Sequence, residues 1–305
     1  MPVSYAGFLN VNKPLHMTSH DVVARIRRHL REQGNPLKVG HAGTLDPLAD
    51  GVLVVCLGAA TRLSDYVMRG QKGYHAKVQL GIATSTYDAA GELVGCEDAS
   101  QVTMDEIRAA LPQFIGDIQQ LPPMHSAIKV GGRKLYELAR QGKTIERQPR
   151  AVTIHAIQLL AWDSPVLELD IHCGSGTYIR SLAQDLGEAL GVGAHLSSLT
   201  RTASGNFMLA DSLELDALLQ GKDWSPHIVA PWCALRDYPR LDLAADEVAR
   251  LRNGLFIDQR DCLDAPSVFG FDAQRHLVAI LQPRGDRWKP HKVFPPAAAA
   301  NLAEG

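Results

Sequence analysis

Cysteine is scarce in this chain: its 305 residues hold five, Cys56, Cys96, Cys173, Cys233 and Cys262. They are odd in number, widely separated, and include no C-x-x-C pair. That argues against a disulfide framework or a structural zinc site. Buried thiols in a reducing cytoplasm are the expectation. Long apolar runs are missing too. The longest, residues 51–60, falls short of the ~20 residues a membrane helix needs, and Met1–Asn12 lacks the basic-then-apolar pattern of a signal peptide. A soluble, cytoplasmic protein is expected, without membrane contact.

Net charge is also lacking. Lys and Arg number 31 against 33 Asp and Glu, for a formal charge of −2. Any nucleic-acid binding must therefore rest on local basic patches. Neither G-x-x-x-x-G-K-[ST] nor G-x-G-x-x-G occurs, so the phosphate-loop and dinucleotide fingerprints are absent. No Ser/His/Asp order can be defended. Asp46 and Asp50 flank a turn with Gly51, but the alternating ligands and distal Glu of a calcium loop are missing. No metal and no cofactor are expected.

What the chain does have is one dense stretch, Gly40-His41-Ala42-Gly43-Thr44-Leu45-Asp46-Pro47-Leu48-Ala49-Asp50-Gly51, running into the apolar Val52–Leu57. Glycines permit positive φ and close backbone approach, and Pro47 stiffens the chain beside Asp46. A carboxylate on a stiff loop at the mouth of a buried strand is a common way to present a reacting group. A tight turn with a capping Asp would read the same way on composition alone.

The flanking pattern alternates strands and helices. Residues 7–12 predict a strand. Thr18 and Asp21 form a capping box for a helix burying Val22, Val23, Ile26 and Leu30 and exposing Arg25, Arg27, Arg28 and Arg31. A short helix over residues 60–68 precedes a period-two strand with Tyr74, Ala76, Val78, Leu80 and Ile82 on one side. Thr86–Gly91 reads as a turn between antiparallel strands. Thr103 and Glu106 cap a second helix through Ile107, Leu111 and Phe114. Pro122 and Pro123 keep the next stretch extended, and a helix after Gly131-Gly132 carries Leu135, Tyr136, Leu138 and Ala139. Residues 133–150 hold six basic residues against Glu137 and Glu146, the densest basic patch in the chain.

Residues 152–160 and 166–172 predict two more strands. A helix follows with Ile179, Leu182, Leu186 and Leu190 on one face and Arg180 in its first turn. A cation there opposes the helix dipole, a local violation that points to function. Residues 197–202 predict a return strand. Pattern signals thin between Leu218 and Pro239, which marks a domain boundary, and a small β-rich module follows. It contains a helix at 244–252 and strands near 267–271 and 276–281.

Taken together, the residues closely resemble the bacterial TruB-type tRNA pseudouridine synthases. The likeness is carried by the Gly40–Gly51 stretch with Asn12-Lys13-Pro14, Lys72-Gly73-Tyr74, Gln120, Pro122-Pro123 and Ser126-Ala127. It continues in Leu135-Tyr136 with Ala139-Arg140 and in Gly176-Thr177-Tyr178-Ile179-Arg180, in the family's order over residues 7–210. The resemblance implies an α+β fold, a mixed and mostly antiparallel sheet flanked by helices, with a C-terminal PUA-like module. It divides the chain into a catalytic domain (1–232), a PUA-like RNA-binding domain (233–296) and a disordered tail (297–305).

By the same resemblance Asp46 is the attacking carboxylate and Arg180 its ion-pair partner. Tyr74 stacks on the uracil and is the candidate for removing the C5 proton. His41 props the loop open once the base has left its stack, and Tyr178 and Leu199 line the base pocket. The implied reaction is isomerisation of uridine 55 in the T stem-loop of tRNA by a monomer without cofactor. RNA binding would rest on the 133–150 patch and the Arg25–Arg31 helix. A catalytically idle tRNA-binding or RNA-folding protein on the same scaffold is the alternative.

Overall fold

In the computed structural model the described residues are 6–124, 126, 129–130, 133–134, 145–221, 223–259 and 265–296. The helix expected after Gly131-Gly132, Arg140 and Lys143 of the basic patch, Cys262 and the 297–305 tail lie outside them.

A ten-stranded sheet forms the larger layer. Its order runs Leu213–Glu214, Gly7–Lys13, Ala49–Leu57, Ala194–Ser204, Lys72–Leu80, Val166–Cys173, Arg150–Asp163 and Gly116–Gln120, with two short strands, Val39–His41 and Phe207–Met208, attached beside it. The Gly7–Lys13/Leu213–Glu214 and Ala49–Leu57/Ala194–Ser204 pairs are parallel, and the remaining neighbours are antiparallel. The expected mixed, mostly antiparallel sheet is what forms.

Burial explains the sequence patterns. Ala49–Leu57 is covered on both faces: Leu53, Val55 and Leu57 pack toward the Ser19–Glu32 helix, while Val52, Val54 and Cys56 pack toward the opposite cluster. A strand buried on both sides reads as a continuous apolar run. Lys72–Leu80 and Val166–Cys173 are covered on one face only. Their inward residues join the core with the Ile179–Ala189 helix. Outward, Lys77 and Glu168 pair across the strands at 2.7 Å.

The Ser19–Glu32 helix starts at the expected box, with Thr18 accepting from the Asp21 N–H and Asp21 accepting from the Thr18 N–H. The predicted 60–68 helix divides into a 3₁₀ turn (Gly58–Leu63) and an α-helix (Ser64–Met68). The strand at Tyr74 ends at Leu80 rather than Ile82, because Gly81 takes φ +82° and turns the chain into a separate hairpin, Ile82–Thr84 with Leu93–Cys96. Of the cysteines, Cys56 and Cys173 are buried as expected, whereas Cys96 and Cys233 are exposed, Cys96 in the peripheral Leu93–Cys96 strand and Cys233 beside the buried Ala234 and Leu235.

A five-stranded sheet, ordered Arg240–Asp242, Val268–Phe271, Leu277–Arg284, Arg287–Val293 and Ile257–Asp258, forms the C-terminal layer with the Ala245–Arg252 helix. Phe269, Phe271, Ile280 and Phe294 share one apolar cluster with Phe8, Val52, Val54 and Phe207 of the large sheet.

Candidate active site

The loop between Val39–His41 and Ala49–Leu57 is held from several sides. Gly43 sits at φ +111° and Gly51 at φ +94°. A Cβ on Gly51 would fall 2.3 Å from the Arg201 carbonyl oxygen, so only glycine allows the strands to approach there. The Ser19 hydroxyl accepts from the Leu45 N–H at 2.8 Å and donates to the Leu45 carbonyl at 3.1 Å. The His16 N–H donates to the Pro47 carbonyl, and the Asn12 side chain accepts from the Gly51 N–H. Asp46 therefore projects from a backbone fixed on both sides.

Arg180, the second residue of the Ile179–Ala189 helix, reaches Asp46 through Nη2 at 2.9 Å. Its Nη1 lies 3.3 Å from Asp88 Oδ2. The three differ in exposure: the Arg180 side chain is 6% exposed, Asp88 8% and Asp46 41%. The guanidinium and Asp88 form the buried part of the cluster, and Asp46 is the member open to an incoming molecule. Asp88 is itself fixed by the Thr86 hydroxyl and the Ala90 N–H. Two carboxylates offset the unfavourable placement of a cation at a helix N-terminus.

Tyr74 lies within the electrostatic reach of Asp46 and is almost wholly buried, which raises its hydroxyl pKa; the positive charge of the Arg201 guanidinium opposes that rise. Leu199 is buried in register with Ala49 on one side and Ala76 on the other, in the cluster that holds Leu45 and Tyr74. Tyr178 is the N-cap residue before Arg180. The Gln120 amide clasps its backbone, donating to its carbonyl at 2.9 Å and accepting from its N–H at 2.7 Å. Burial raises the Tyr178 hydroxyl pKa, while the nearby Ser126 hydroxyl and Arg180 charge work the other way.

His41 ends the Val39–His41 strand opposite Val55. Burial, followed by the Arg201 and His20 charges, lowers its pKa and favours the neutral ring. The structure thus brings Asp46, Arg180, Tyr74, Tyr178 and Leu199 to one end of the sheet, and gives His41 the neighbours Arg201 and His20.

Sequence reasoning missed Asp88, which it placed in an ordinary turn, and Arg201, which it placed in a return strand. It also passed over Ser19 as a helix residue. Only Arg201 left a usable signal: a charged residue inside a strand that the fold buries. Among the described residues no group of three or more His, Cys, Asp or Glu side chains is placed to hold a metal, and no helix is long and apolar enough to cross a membrane.

An ionisable, solvent-accessible carboxylate held by a buried guanidinium and flanked by two aromatic rings can act as a nucleophile toward a planar substrate. Residues 27–179 match the model of the TruB family pseudouridylate synthase N-terminal domain. Residues 180–229 match that of the tRNA pseudouridylate synthase B C-terminal domain, and residues 238–295 that of the tRNA pseudouridine synthase II C-terminal. The chain is 46% identical over 293 residues to tRNA pseudouridine synthase B of Dehalococcoides mccartyi strain CBDB1, covering 94% of this chain and 96% of that protein. It is 49% identical over 252 residues to the protein of the same name from Symbiobacterium thermophilum, covering 82% of each. Among solved structures it resembles a chain of an H/ACA ribonucleoprotein bound to a substrate RNA containing 2′-deoxyuridine. There the TM-score is 0.73 at 25% identity, over 97% of this chain and 88% of that one. A chain of a Cbf5-Nop10-Gar1 complex also has a TM-score of 0.73, at 28% identity, over 95% and 85%.

Proposed function

The chain belongs to the TruB family of pseudouridylate synthases, and we propose on that premise that it isomerises uridine to pseudouridine at position 55 in the T arm of tRNA. The observation that carries the reading is the 2.9 Å contact between the open carboxylate of Asp46 and the buried guanidinium of Arg180.

The target base must leave its stack, since C5 and C6 are out of reach inside a helix, and unstacking costs a few kcal/mol. Asp46 attacks the flipped nucleoside and the N1–C1′ bond opens. Uracil turns, C5 bonds to C1′, the bond to Asp46 breaks, and the proton on C5 leaves while N1 takes one up. Tyr74 stacks on the uracil and is the candidate for accepting that proton. Arg180 holds Asp46 in position, Tyr178 and Leu199 wall the base pocket, and His41 meets the RNA vacated by the base. Residues 1–232 act as the catalytic unit and 233–296 as a PUA-like RNA-binding unit, in a cytoplasmic monomer that binds the T stem-loop. Phosphate contacts come from the Arg25–Arg31 helix and the 133–150 patch.

The test is release of tritium from a T-arm RNA carrying 5-tritiated uridine. Wild type is expected to release it. Asp46→Asn is expected to release none above background while still binding the RNA. Turnover by that variant would remove Asp46 from the chemistry, and binding without release by wild type would favour the idle RNA-binding alternative.

A further inference from the structure

Arg201 is a large side chain with only 1% exposure, and it holds a permanent charge inside the protein. Buried guanidinium groups usually face a carboxylate. This one does not. Its Nε donates to the Val52 carbonyl at 2.7 Å, Nη1 to the Thr44 carbonyl at 3.2 Å and Nη2 to the Gly43 carbonyl at 3.1 Å. Those three oxygens stand before and after Asp46, so one rigid fork ties together both ends of the segment that carries it.

The backbone of Arg201 closes the same clamp. It lies in parallel register with Gly51 and in antiparallel register with Tyr74. The Gly51 backbone rests on the Arg201 peptide so closely that no Cβ fits between them. The same residue therefore touches the loop's entry, the loop's exit and the strand that presents Tyr74.

We propose that Arg201 is the positioning residue of the site: its guanidinium fixes the 43–52 loop, and so the distance of the Asp46 carboxylate from the bound nucleoside and from Tyr74. The inference rests on Asp46 being the attacking group, and adds the residue that sets its place. A positioning role predicts a loss in the chemical step with RNA binding preserved. Displacing a reacting group by about 1 Å can cost ~100-fold in rate.

Arg201→Lys is the informative variant. The fold already buries lysines on pairs of carbonyls beside this site: Lys13 Nζ donates to Pro14 and Met17, and Lys72 Nζ to Met68 and Gly70. A lysine at 201 keeps the charge and can reach a carbonyl, but it cannot bridge three. The measurement is single-turnover pseudouridine formation in a T-arm RNA at saturating enzyme, with KM and thermal melting recorded alongside.

The expected result is a rate constant at least ~100-fold below wild type, with KM within threefold. A folding defect would reduce the active fraction and the melting temperature yet leave the rate constant of the folded molecules alone, so a rate constant within threefold of wild type overturns the proposal. A rise in KM at an unchanged rate constant overturns it too, by making Arg201 an RNA contact. Wild type without turnover would overturn the functional reading itself, and is distinguished from failure of this inference because the latter leaves wild type active.

Discussion

Arg180 lies 3.3 Å from Asp88 through one guanidinium nitrogen while the other holds Asp46 at 2.9 Å. Asp88 is the buried anchor that leaves the second nitrogen aimed at the open carboxylate. Asp88→Ala removes one partner of a buried cation, a change that costs about 3–5 kcal/mol in the general case; retention of Asp46 places this variant toward the lower end. Turnover is expected to fall ~100-fold through misplacement of Asp46, with RNA affinity within threefold of wild type. Calorimetric melting and single-turnover kinetics check the two parts. Weakened RNA binding with turnover of bound RNA intact would contradict the anchoring role.

Gln120 is the support under Tyr178. It is almost fully buried and satisfies both the N–H and the carbonyl of that residue. Gln120→Ala leaves those two groups unpaired, at about 1–3 kcal/mol per group. The expected outcome is a lower melting temperature together with a higher KM, because Tyr178 loses its fixed place in the pocket. An unchanged KM would separate Tyr178 from the base pocket.

Gly51→Ala is expected to be the most damaging glycine-to-alanine change among the described residues. It combines φ +94° with a Cβ 2.3 Å from a backbone oxygen that cannot swing away. Backbone strain alone costs on the order of 1–3 kcal/mol, and the collision adds to it by prising two core strands apart. Denaturant titration of the purified variant measures the loss. Wild-type stability would contradict the close approach of the two strands.

The Cys56 thiol predicts an alkaline weakness. Burial pushes its pKa up from 9.0 to about 12, so the folded protein keeps the proton while an unfolded chain releases it above pH 9. Stability from this group is complete below pH 9 and is lost as pH rises toward 12. At about 1.4 kcal/mol per pH unit, wild type should lose ~2 kcal/mol between pH 9 and 10.5 relative to Cys56→Ala. Urea midpoints of both proteins at pH 8 and 10.5 give the comparison. Parallel curves would show that the thiol ionises alike in both states.

Local chemistry was the legible part of this fold. The Thr18/Asp21 box, the one-sided alternation of Lys72–Leu80 and the two-sided run of Ala49–Leu57 each follow from a few adjacent residues, and Arg180 announced itself by sitting where a helix dipole rejects it. What stayed hidden depends on distant partners. Asp88 makes ordinary turn hydrogen bonds to Thr86 and Ala90, and nothing nearby hints at a guanidinium 92 positions further along the chain. The strand Arg287–Val293 carries charges and a proline, and exists because Leu277–Arg284 offers it an edge. Arg201 was visible only as a charge in a strand, since its three acceptors come from a segment about 150 residues earlier.

The apolar cluster shared by Phe269, Phe271 and Phe294 with Phe8 and Phe207 has a metric consequence. Arg62 donates to the Val293 carbonyl and Lys292 to the Arg62 carbonyl, bolting the outside of the same seam. With its aromatic rings set into the larger layer, the smaller sheet shares one apolar core with it. Under the proposed function, an RNA that touched both sheets would have to match, between its two contacts, the span that this shared core sets between the smaller sheet and Asp46.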